Sequence, residues 1–310
     1  MHRRLPPFDI SSKSILHLDD TVKYEWRDRL KKAAAEASAE EVMTAPKPGL
    51  VDPITQGCHE DMDWRLFIKS CAAIAPFWAS QAETGLDGTA PKNAMAKLRA
   101  AGLLAEEAMF GATNGINTHK GLIYWMSLLL YGAGRSVFLK EPLTAKNITQ
   151  HASEPVKGTA AKEFAMISQK KHIDLTNGEK LYLKYGITGI RGEAESGFPS
   201  IVSAGLPELE KNISAGISKN DAAISTLLAI MEVNEDSNVI HRAGYEYWKS
   251  EYKKAVKETR KKYIPSSGER SAITELEGKF MPLRVSPGGA ADLLCCTLFV
   301  YKISLTTCQQ

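Results

Sequence analysis

The stretch 113–121 is a polar loop that leads directly into an apolar segment ending at about Gly134. It reads Thr-Asn-Gly-Ile-Asn-Thr-His-Lys-Gly. An apolar segment of this kind is typical of a buried helix, and the unpaired N–H groups in the first turn of a helix attract phosphate oxygens. Lys120 would add a full positive charge, and Asn117 or Thr118 would cap the helix or bind the ligand. The alternative is a plain capped helix entry with a solvated lysine.

Acidic residues are concentrated in a second polar region. Lys47 is followed by Asp52, and then by Asp61 and Asp63. Curvature of the loop could bring these three carboxylates to one Mg²⁺ ion, because hard oxygen ligands suit that cation. The alternative is that the acids favour the positive end of the following helix.

Arg191 lies among glycines in the stretch 189–199. Glycine lets the backbone approach a ligand closely, and arginine binds phosphate through two parallel hydrogen bonds. Glu193, two residues later, could act as a metal ligand or as a base. The alternative is an ion-paired surface loop.

The segment 234–244 places acids at the end of an apolar helix and a basic pair directly after them. Asp236 and Arg242 are its candidate functional residues. A plain turn between two helices does not need so many ionisable groups, although a polar connector is the alternative.

A serine, a proline and two glycines open the last apolar segment of the chain. Gly288 and Gly289 at a helix entry would let the backbone approach an anion closely. Asp292, three residues later, could ligate a metal or could simply complement the helix dipole.

Taken together, these loops supply acids for a metal ion, cations for phosphates and several helix N-termini. Magnesium with a polyphosphate is the class of ligand that uses all three. None of the loops matches a Walker motif, a dinucleotide-binding fingerprint or a protein-kinase signature. The residues alone therefore predict a Mg²⁺–polyphosphate site without naming its reaction.

The elements that must position these loops are predicted to be helices. Alternation with a period of two is nearly absent, whereas helical periodicity recurs along the chain. We expect an all-α fold, a multi-helix bundle with glycine-rich polar loops at the helix N-termini that converge on the ligand. Helices are predicted over 22–42, 61–82 with Asp61 as N-cap, 93–110, 119–134, 221–233 capped by Asn220 or Asp221, 243–263, and onward from Ser286-Pro287. The stretch 185–205 is predicted to be a loop, and 136–183 to hold one or two surface helices.

Composition narrows the class of protein. The 310 residues are 44% hydrophobic and carry a formal net charge of +3, which suits a globular chain and argues against a nucleic-acid surface. We expect 1–20 to be a loose N-terminal extension and 21–310 to be a single helical catalytic domain. With no secretory signal, and with its longest apolar run near 121–134 too short for a bilayer, the chain is expected to be cytoplasmic with no membrane partner.

The same loops resemble those of the triphosphoribosyl-dephospho-CoA synthase family. The matching strings include Pro-Lys-Pro-Gly-Leu-Val-Asp at 46–52, His-Glu-Asp-Met-Asp at 59–63, Asn-Thr-His-Lys-Gly at 117–121, Arg-Gly-Glu-Ala at 191–194, Asn-Glu-Asp-Ser-Asn at 234–238 and Ser-Pro-Gly-Gly-Ala-Ala-Asp at 286–292. They follow the family's order and cover most of the chain from about residue 35. Departures include Pro53, where a basic residue is expected, and Ser237 in place of threonine.

The resemblance implies a transferase that uses Mg²⁺ and ATP. It would move the 5-triphosphoribosyl group of ATP to the 2′-hydroxyl of 3′-dephospho-CoA and release adenine. The product would be the prosthetic-group precursor of citrate lyase or malonate decarboxylase, which a holo-acyl-carrier-protein synthase attaches to an acyl carrier protein. The alternatives are another Mg-ATP-dependent phosphotransferase and a non-enzymatic helical module that binds a phosphorylated ligand.

Site roles follow from combining the loops with the resemblance. Glu193 and Asp236 are the candidate catalytic carboxylates, one of which would take the proton of the attacking hydroxyl. The candidate metal ligands are Asp52, Asp61, Asp63 and Asp292. The candidate ATP- and phosphate-binding residues are Lys47, Asn117, Thr118, His119, Lys120, Arg191, Arg242, Gly288 and Gly289.

Overall fold

Helices form the whole regular structure of the described residues. The computed structural model describes residues 18–159, 175 and 177–307, and within these ranges it contains no β-strand. The all-α prediction is therefore confirmed. The helices are α1 Asp20–Met43, α2 Trp64–Ile74, α3 Trp78–Leu86, α4 Pro91–Ala112, α5 Lys120–Phe138, α6 Ala145–Ser153, α7 Asn177–Tyr185, α8 Gly189–Glu195, α9 Leu206–Ser214, α10 Lys219–Val233, α11 Ser237–Ala243, α12 Lys253–Lys262, α13 Ser271–Phe280 and α14 Gly288–Thr307.

Most predicted helices lie within a few residues of their observed bounds. The predicted segments 22–42, 93–110, 119–134 and 221–233 correspond to α1, α4, α5 and α10. The predicted helix 243–263 is present as one continuous helical stretch, in which the α-helical turn Tyr245–Tyr247 and the π-helical segment Trp248–Tyr252 lead into α12. Residues 1–17 of the predicted N-terminal extension lie outside the described residues, and residue 20 already belongs to α1.

The predicted loop at 185–205 is wrong, because two helical segments lie within it. These are α8 and a π-helical turn at Ile201–Gly205. The glycine content suggested a loop, but Ala194 and Ile201 are fully buried in the core. Burial of apolar side chains outweighs the modest helix penalty of the glycines.

Two predicted helix starts also need correction. Asp63, not Asp61, caps α2, since its carboxylate accepts the N–H of Leu66 at 2.8 Å. The predicted helix 61–82 is divided into α2 and α3 by a 3₁₀ turn that contains Pro76, which has no N–H to donate. Ser218 caps α10 in place of the predicted Asn220 or Asp221.

Helix α5 lies at the centre of the bundle. It packs against α3, α6 and α14, and α14 in turn packs against α1 and α10. The contact with α3 is close: a side chain at Gly134 would lie 2.5 Å from the carbonyl oxygen of Ala82. The start of α5 is fixed in position by this packing, and so is the polar loop that precedes it.

Helix α14 is the one described helix that is long and apolar enough to cross a membrane, over Gly288–Leu305. The apolar run near 121–134, singled out from the sequence, is not the segment that meets this criterion. Leu294, Phe299 and Val300 of α14 are fully buried in the hydrophobic core shared with α1, α5 and α10. Its apolar composition is therefore explained by its place in the core.

Candidate active site

A cleft of about 1140 Å³ opens where the starts of several helices meet. The first turns of α5 and α14 line it, together with the beginnings of the shorter helices α8 and α11. Unpaired N–H groups at the starts of the longer two give this region a partial positive charge. The predicted convergence of helix N-termini is thus present in the structure.

All nine residues predicted to bind ATP or phosphate line this single cleft. They come from five separate segments of the sequence, which the fold brings together. The geometry is that expected of a polyphosphate site, and the role of each residue stays a prediction. The nine are Lys47, Asn117, Thr118, His119, Lys120, Arg191, Arg242, Gly288 and Gly289.

The cationic side chains of the cleft include two that the sequence motifs did not single out, Arg99 and Arg284. Arg242 donates a hydrogen bond to the carbonyl oxygen of Arg284 at 3.1 Å, so these two arginines lie side by side. Lys120 forms an ion pair of 2.9 Å with Glu106 and remains 57% exposed. Lysine and arginine side chains of this kind bind phosphate oxygens through charge-assisted hydrogen bonds.

Lys47 is buried, although it lines the cleft. Its ammonium group donates to the carboxylate of Glu41 at 2.6 Å and to the Glu41 carbonyl oxygen at 2.8 Å. Its side chain is only 2% exposed and that of Glu41 8%. The opposite charges of Lys47 and Glu41 therefore compensate each other in the wall of the cleft, since an isolated buried charge would be strongly unfavourable.

His119 is also buried in the wall. Its Nδ1 lies 2.7 Å from the hydroxyl of Ser70, which in turn accepts a hydrogen bond from the hydroxyl of Thr118. Burial, together with the charge of Lys47, lowers the pKa of His119 to about 3. The ring is therefore neutral at neutral pH, and its contribution is to position Thr118 and not to add a positive charge.

Asp236 caps two helices at once. One carboxylate oxygen accepts the N–H of Asn238 at 3.0 Å at the start of α11, and the other accepts the N–H of Ala290 at 3.0 Å in the first turn of α14. Gly289 packs against the same carboxylate, where a side chain would lie 3.1 Å from it. Asp236 is buried beside the cleft and does not line it.

Asp292 makes the equivalent connection between α14 and α5. It projects from the first turn of α14, and its carboxylate faces the backbone N–H of Leu122 in the first turn of α5. It lies directly against Gly121. Burial and the neighbouring charges of Glu41 and Asp236 raise the pKa of Asp292 well above its usual range. Two aspartates therefore join the starts of α11, α14 and α5.

The four predicted metal ligands are not brought together. Asp52 is buried and its carboxylate accepts backbone N–H groups of Lys47 and Thr55, while Asp63 caps α2. Only Asp61 and Asp292 of the four line the cleft. Within the described ranges no cluster of three or more histidine, cysteine or acidic residues could hold a metal ion.

Glu193 lies in a smaller cavity of about 280 Å³ next to the cleft. Its carboxylate accepts the N–H of Ser200 at 2.8 Å and lies 3.0 Å from the Ser200 hydroxyl. Burial raises the pKa of Glu193. The two candidate catalytic carboxylates, Glu193 and Asp236, are therefore both outside the main cleft.

A comparison with models of known protein families finds one that matches residues 27–309. It is described as CitG: ATP:dephospho-CoA triphosphoribosyl transferase. The chain belongs to this transferase family. The resemblance noted at the sequence motifs is confirmed over nearly the whole chain.

Relatives of this triphosphoribosyl transferase include proteins named 2-(5''-triphosphoribosyl)-3'-dephosphocoenzyme-A synthase. One from Pectobacterium atrosepticum is 34% identical over 288 residues, which are 91% of this chain and 93% of that protein. A probable synthase from Streptococcus equi subsp. zooepidemicus is 35% identical over 285 residues, 88% and 95% of the two chains. Another from Photobacterium profundum is 38% identical over 270 residues, 85% and 84% of the two chains. Among solved structures, none matches this transferase.

Several residues that line the transferase's cleft do not belong to any of the sequence motifs. Glu41, Glu106 and Trp125 lie within helices, and they reach the cleft only because of how α1, α4 and α5 pack. Trp125 donates a hydrogen bond to the carbonyl oxygen of Ile190 at 2.8 Å and so fixes the start of α8 at the cleft wall. His59 belongs to a recognised motif string, and it lies 2.9 Å from the hydroxyl of Ser286.

Proposed function

We propose that the cleft binds ATP together with 3′-dephospho-CoA, and that it transfers the 5-triphosphoribosyl group to the 2′-hydroxyl with release of adenine. The observation that carries this proposal is the convergence of all nine predicted phosphate-binding residues on one cleft. Its size, about 1140 Å³, suits more than one small ligand, since single-ligand pockets span about 300–1,000 Å³.

The substrates carry two polyphosphates, and two places in the cleft offer cations to them. Arg242 and Arg284 lie together beside Glu60, which pairs with Arg284 at 3.2 Å. Lys120 lies with Glu106 at the start of α5. We assign the triphosphate of ATP to the start of α5 and the diphosphate of dephospho-CoA to the arginine pair. This separation would hold the ribose and the hydroxyl between the two groups.

Transfer requires the C1–N bond of the ribose to break as the hydroxyl oxygen bonds to C1. The ribose would develop positive charge, which nearby carboxylates stabilise. Glu235 lines the cleft, and among the described residues its hydrogen bonds are two long ones to Thr188, of 3.3 and 3.5 Å. We assign Glu235 as the base, because it lines the cleft, whereas Asp236 is buried beside the cleft and does not line it.

Mg²⁺ fits this cleft as a companion of ATP. It commonly binds through one or two carboxylates and the phosphates of the substrate, so a complete protein cage is not needed. The carboxylate of Asp292 lies at the start of α5 near Glu41, and none of the described lysines and arginines forms an ion pair with it. A bound cation would offset the free-energy cost of burying the negative charge of Asp292. We propose Asp292 as the protein ligand, with Asp61 at the rim of the cleft.

The pathway assignment extends the same proposal. The product would become the prosthetic group of an acyl carrier protein in citrate lyase or malonate decarboxylase, attached by a holo-acyl-carrier-protein synthase. A cytoplasmic location, with no membrane or nucleic-acid partner, agrees with the balanced charge of +3 and with the buried position of α14.

The test is to incubate the protein with MgATP, with and without dephospho-CoA, and to follow adenine and the coupled product by chromatography and mass. Adenine release that depends on dephospho-CoA supports the proposal. Release of ADP or phosphate would instead identify a phosphotransferase, and binding without turnover would identify a ligand-binding module. Glu235→Gln should lower kcat at least 100-fold, and Glu246→Gln, an exposed residue outside the cleft, should leave it unchanged.

A further inference from the structure

The smaller cavity of about 280 Å³ abuts the cleft along a shared wall. Trp125, Thr188, Gly189 and Glu235 line both spaces. The contact between Thr188 and Glu235 that closes this wall is long, since the N–H and the hydroxyl of Thr188 reach the carboxylate at 3.3 and 3.5 Å. Hydrogen bonds of this length are weak, so a small displacement would join the two spaces.

The polar groups of this side cavity differ in kind from those of the cleft. No lysine or arginine of the described chain lines it, whereas six line the cleft. Its side chains offer hydroxyl, carboxyl and amide groups instead, from Ser196, Ser200, Ser203, Glu193 and Asn234. Such a wall suits a neutral ligand rich in hydrogen-bonding groups and gives no compensation to a phosphate.

Asn234 supplies an unsatisfied group in this wall. It is 4% exposed, its side chain bonds to Asp236, and its Oδ1 has no hydrogen-bond partner. A buried acceptor left unpaired is destabilising, because it has lost its hydrogen bonds to water without replacement. A ligand that donates an N–H group to the Asn234 oxygen would recover this free energy.

We propose that the side cavity formed around Glu193 and Asn234 binds the adenine ring of ATP and receives the free base when it leaves. The proposal rests on the proposed function, because it assigns the position of the leaving group in that reaction. The exocyclic amino group of adenine is a donor suited to Asn234, and its ring nitrogens are acceptors suited to hydroxyl and carboxyl groups. With the base here and the triphosphate in the cleft, the ribose lies at the shared wall beside Glu235.

Glu193 then acts as the acid that protonates the leaving base. As the C1–N bond breaks, its electron pair passes to adenine, and a ring nitrogen takes the proton of Glu193. The hydroxyl oxygen of dephospho-CoA bonds to C1 and its proton passes to Glu235. Neutral adenine leaves, Glu193 becomes a carboxylate and Glu235 a carboxylic acid, so charge and protons balance. Burial, which raises the pKa of Glu193, favours the protonated form that this step requires.

The outer rim provides an exit. Ser196, Pro199, Ser203 and Val233 line the side cavity and are exposed to solvent. Adenine could therefore leave through the rim while the phosphates of the product remain in the cleft.

The experiment blocks the rim and leaves the cleft intact. Ser203→Phe places a ring at the mouth of the side cavity, and Val202→Phe, the exposed neighbour that does not line it, is the matched control. Adenine binding is measured by calorimetry and by product inhibition of turnover, with thermal unfolding to check the fold. We expect Ser203→Phe to weaken adenine binding at least tenfold and Val202→Phe to leave it unchanged. Ser196→Phe, at the C-cap of α8 on the rim, replaces the first variant if that one is unfolded.

Wild-type affinity for adenine in Ser203→Phe and Ser196→Phe, or no saturable adenine binding to the wild type, overturns the inference. Because adenine binding needs no turnover, it is judged separately from the transferase reaction. A chain that releases adenine with dephospho-CoA but binds it equally in every variant retains the proposed function and loses only this subsite. Glu193→Gln should also lower kcat at least 100-fold with an unchanged Kd for ATP, and Glu193→Asp should recover part of the loss. A proportional loss of ATP binding in Glu193→Gln contradicts the acid role.

Discussion

Asp292 lies so close to Gly121 that no side chain fits between the start of α14 and the start of α5. The same carboxylate faces the backbone N–H of Leu122. A single glycine in the Asn-Thr-His-Lys-Gly string is therefore required by contact between two helices, and not by an unusual backbone angle.

Gly121→Ala should disrupt this contact. We expect a loss of about 1–3 kcal/mol in the free energy of unfolding, as found for overpacked cores, together with a large loss of activity. Gly111→Ala is the control, because a side chain at Gly111 meets nothing within 4 Å and alanine favours the helix. Urea unfolding of both variants provides the measurement. Equal stability of the two would show that the start of α5 can move away from Asp292.

Lys120→Ala should weaken the binding of ATP. Lys120 is at the start of α5, lines the cleft and keeps most of its side chain exposed despite its pair with Glu106. We expect kcat/KM for ATP to fall by about 100-fold, corresponding to a loss of roughly 2.7 kcal/mol. Steady-state kinetics on this variant and on Lys146→Ala, an exposed lysine outside the cleft, make the comparison. Near wild-type kinetics for Lys120→Ala would remove it from the phosphate site.

Lys47→Met should lower the free energy of unfolding strongly and change the shape of the cleft little. The substitution leaves the carboxylate of Glu41 buried without its partner, which costs about 3–5 kcal/mol. The double variant Glu41→Gln/Lys47→Met should recover a large part of this stability. Denaturant unfolding of the two single variants and the double variant gives the coupling energy. A double variant no more stable than Lys47→Met would show that the two groups are not coupled.

His119 should make the stability depend on pH. Its pKa is about 3 in the folded chain and about 6.5 when unfolded, so the unfolded state binds a proton first as the pH falls. Stability is therefore lost progressively below pH 6.5, towards 3. Between pH 7.5 and pH 5.0 the wild type should lose about 2 kcal/mol more than His119→Gln. The exposed His241→Gln serves as control, and an equal loss in all three proteins would contradict the burial of a neutral ring.

The phosphate-binding residues could be predicted because each lies in a polar loop that precedes or follows an apolar helix. At such places the residue type suits a phosphate and the position in the sequence marks the start of a helix, as at Lys120 and Gly288. The acids could not be assigned in the same way. Asp52 and Asp63 have the residue type of metal ligands, but their partners are backbone N–H groups two to five residues away, and only the folded loop shows which donors are in reach.

The helices were predictable where apolar residues recur with helical spacing, as in α5. The error at 185–205 arose where local and tertiary preferences disagree. Glycines favour a loop there, but Ala194 and Ile201 are buried against other helices. The same limit applies to Glu106 and Trp125, which are ordinary helix residues in sequence and become cleft residues only through packing.

The position of α14 has a consequence for the synthesis of the protein. This helix supplies part of the core and, through Gly288, Gly289 and Asp292, part of the cleft. The ribosome adds it after every other described helix, and chains emerge N-terminal end first. A nascent chain in which α1 to α13 have emerged still lacks α14, the helix against which α1, α5 and α10 pack. It also lacks Asp292, the aspartate that meets the start of α5. Nucleotide therefore has no complete site to bind before translation has passed α14, and it cannot act as a template for the earlier stages of folding.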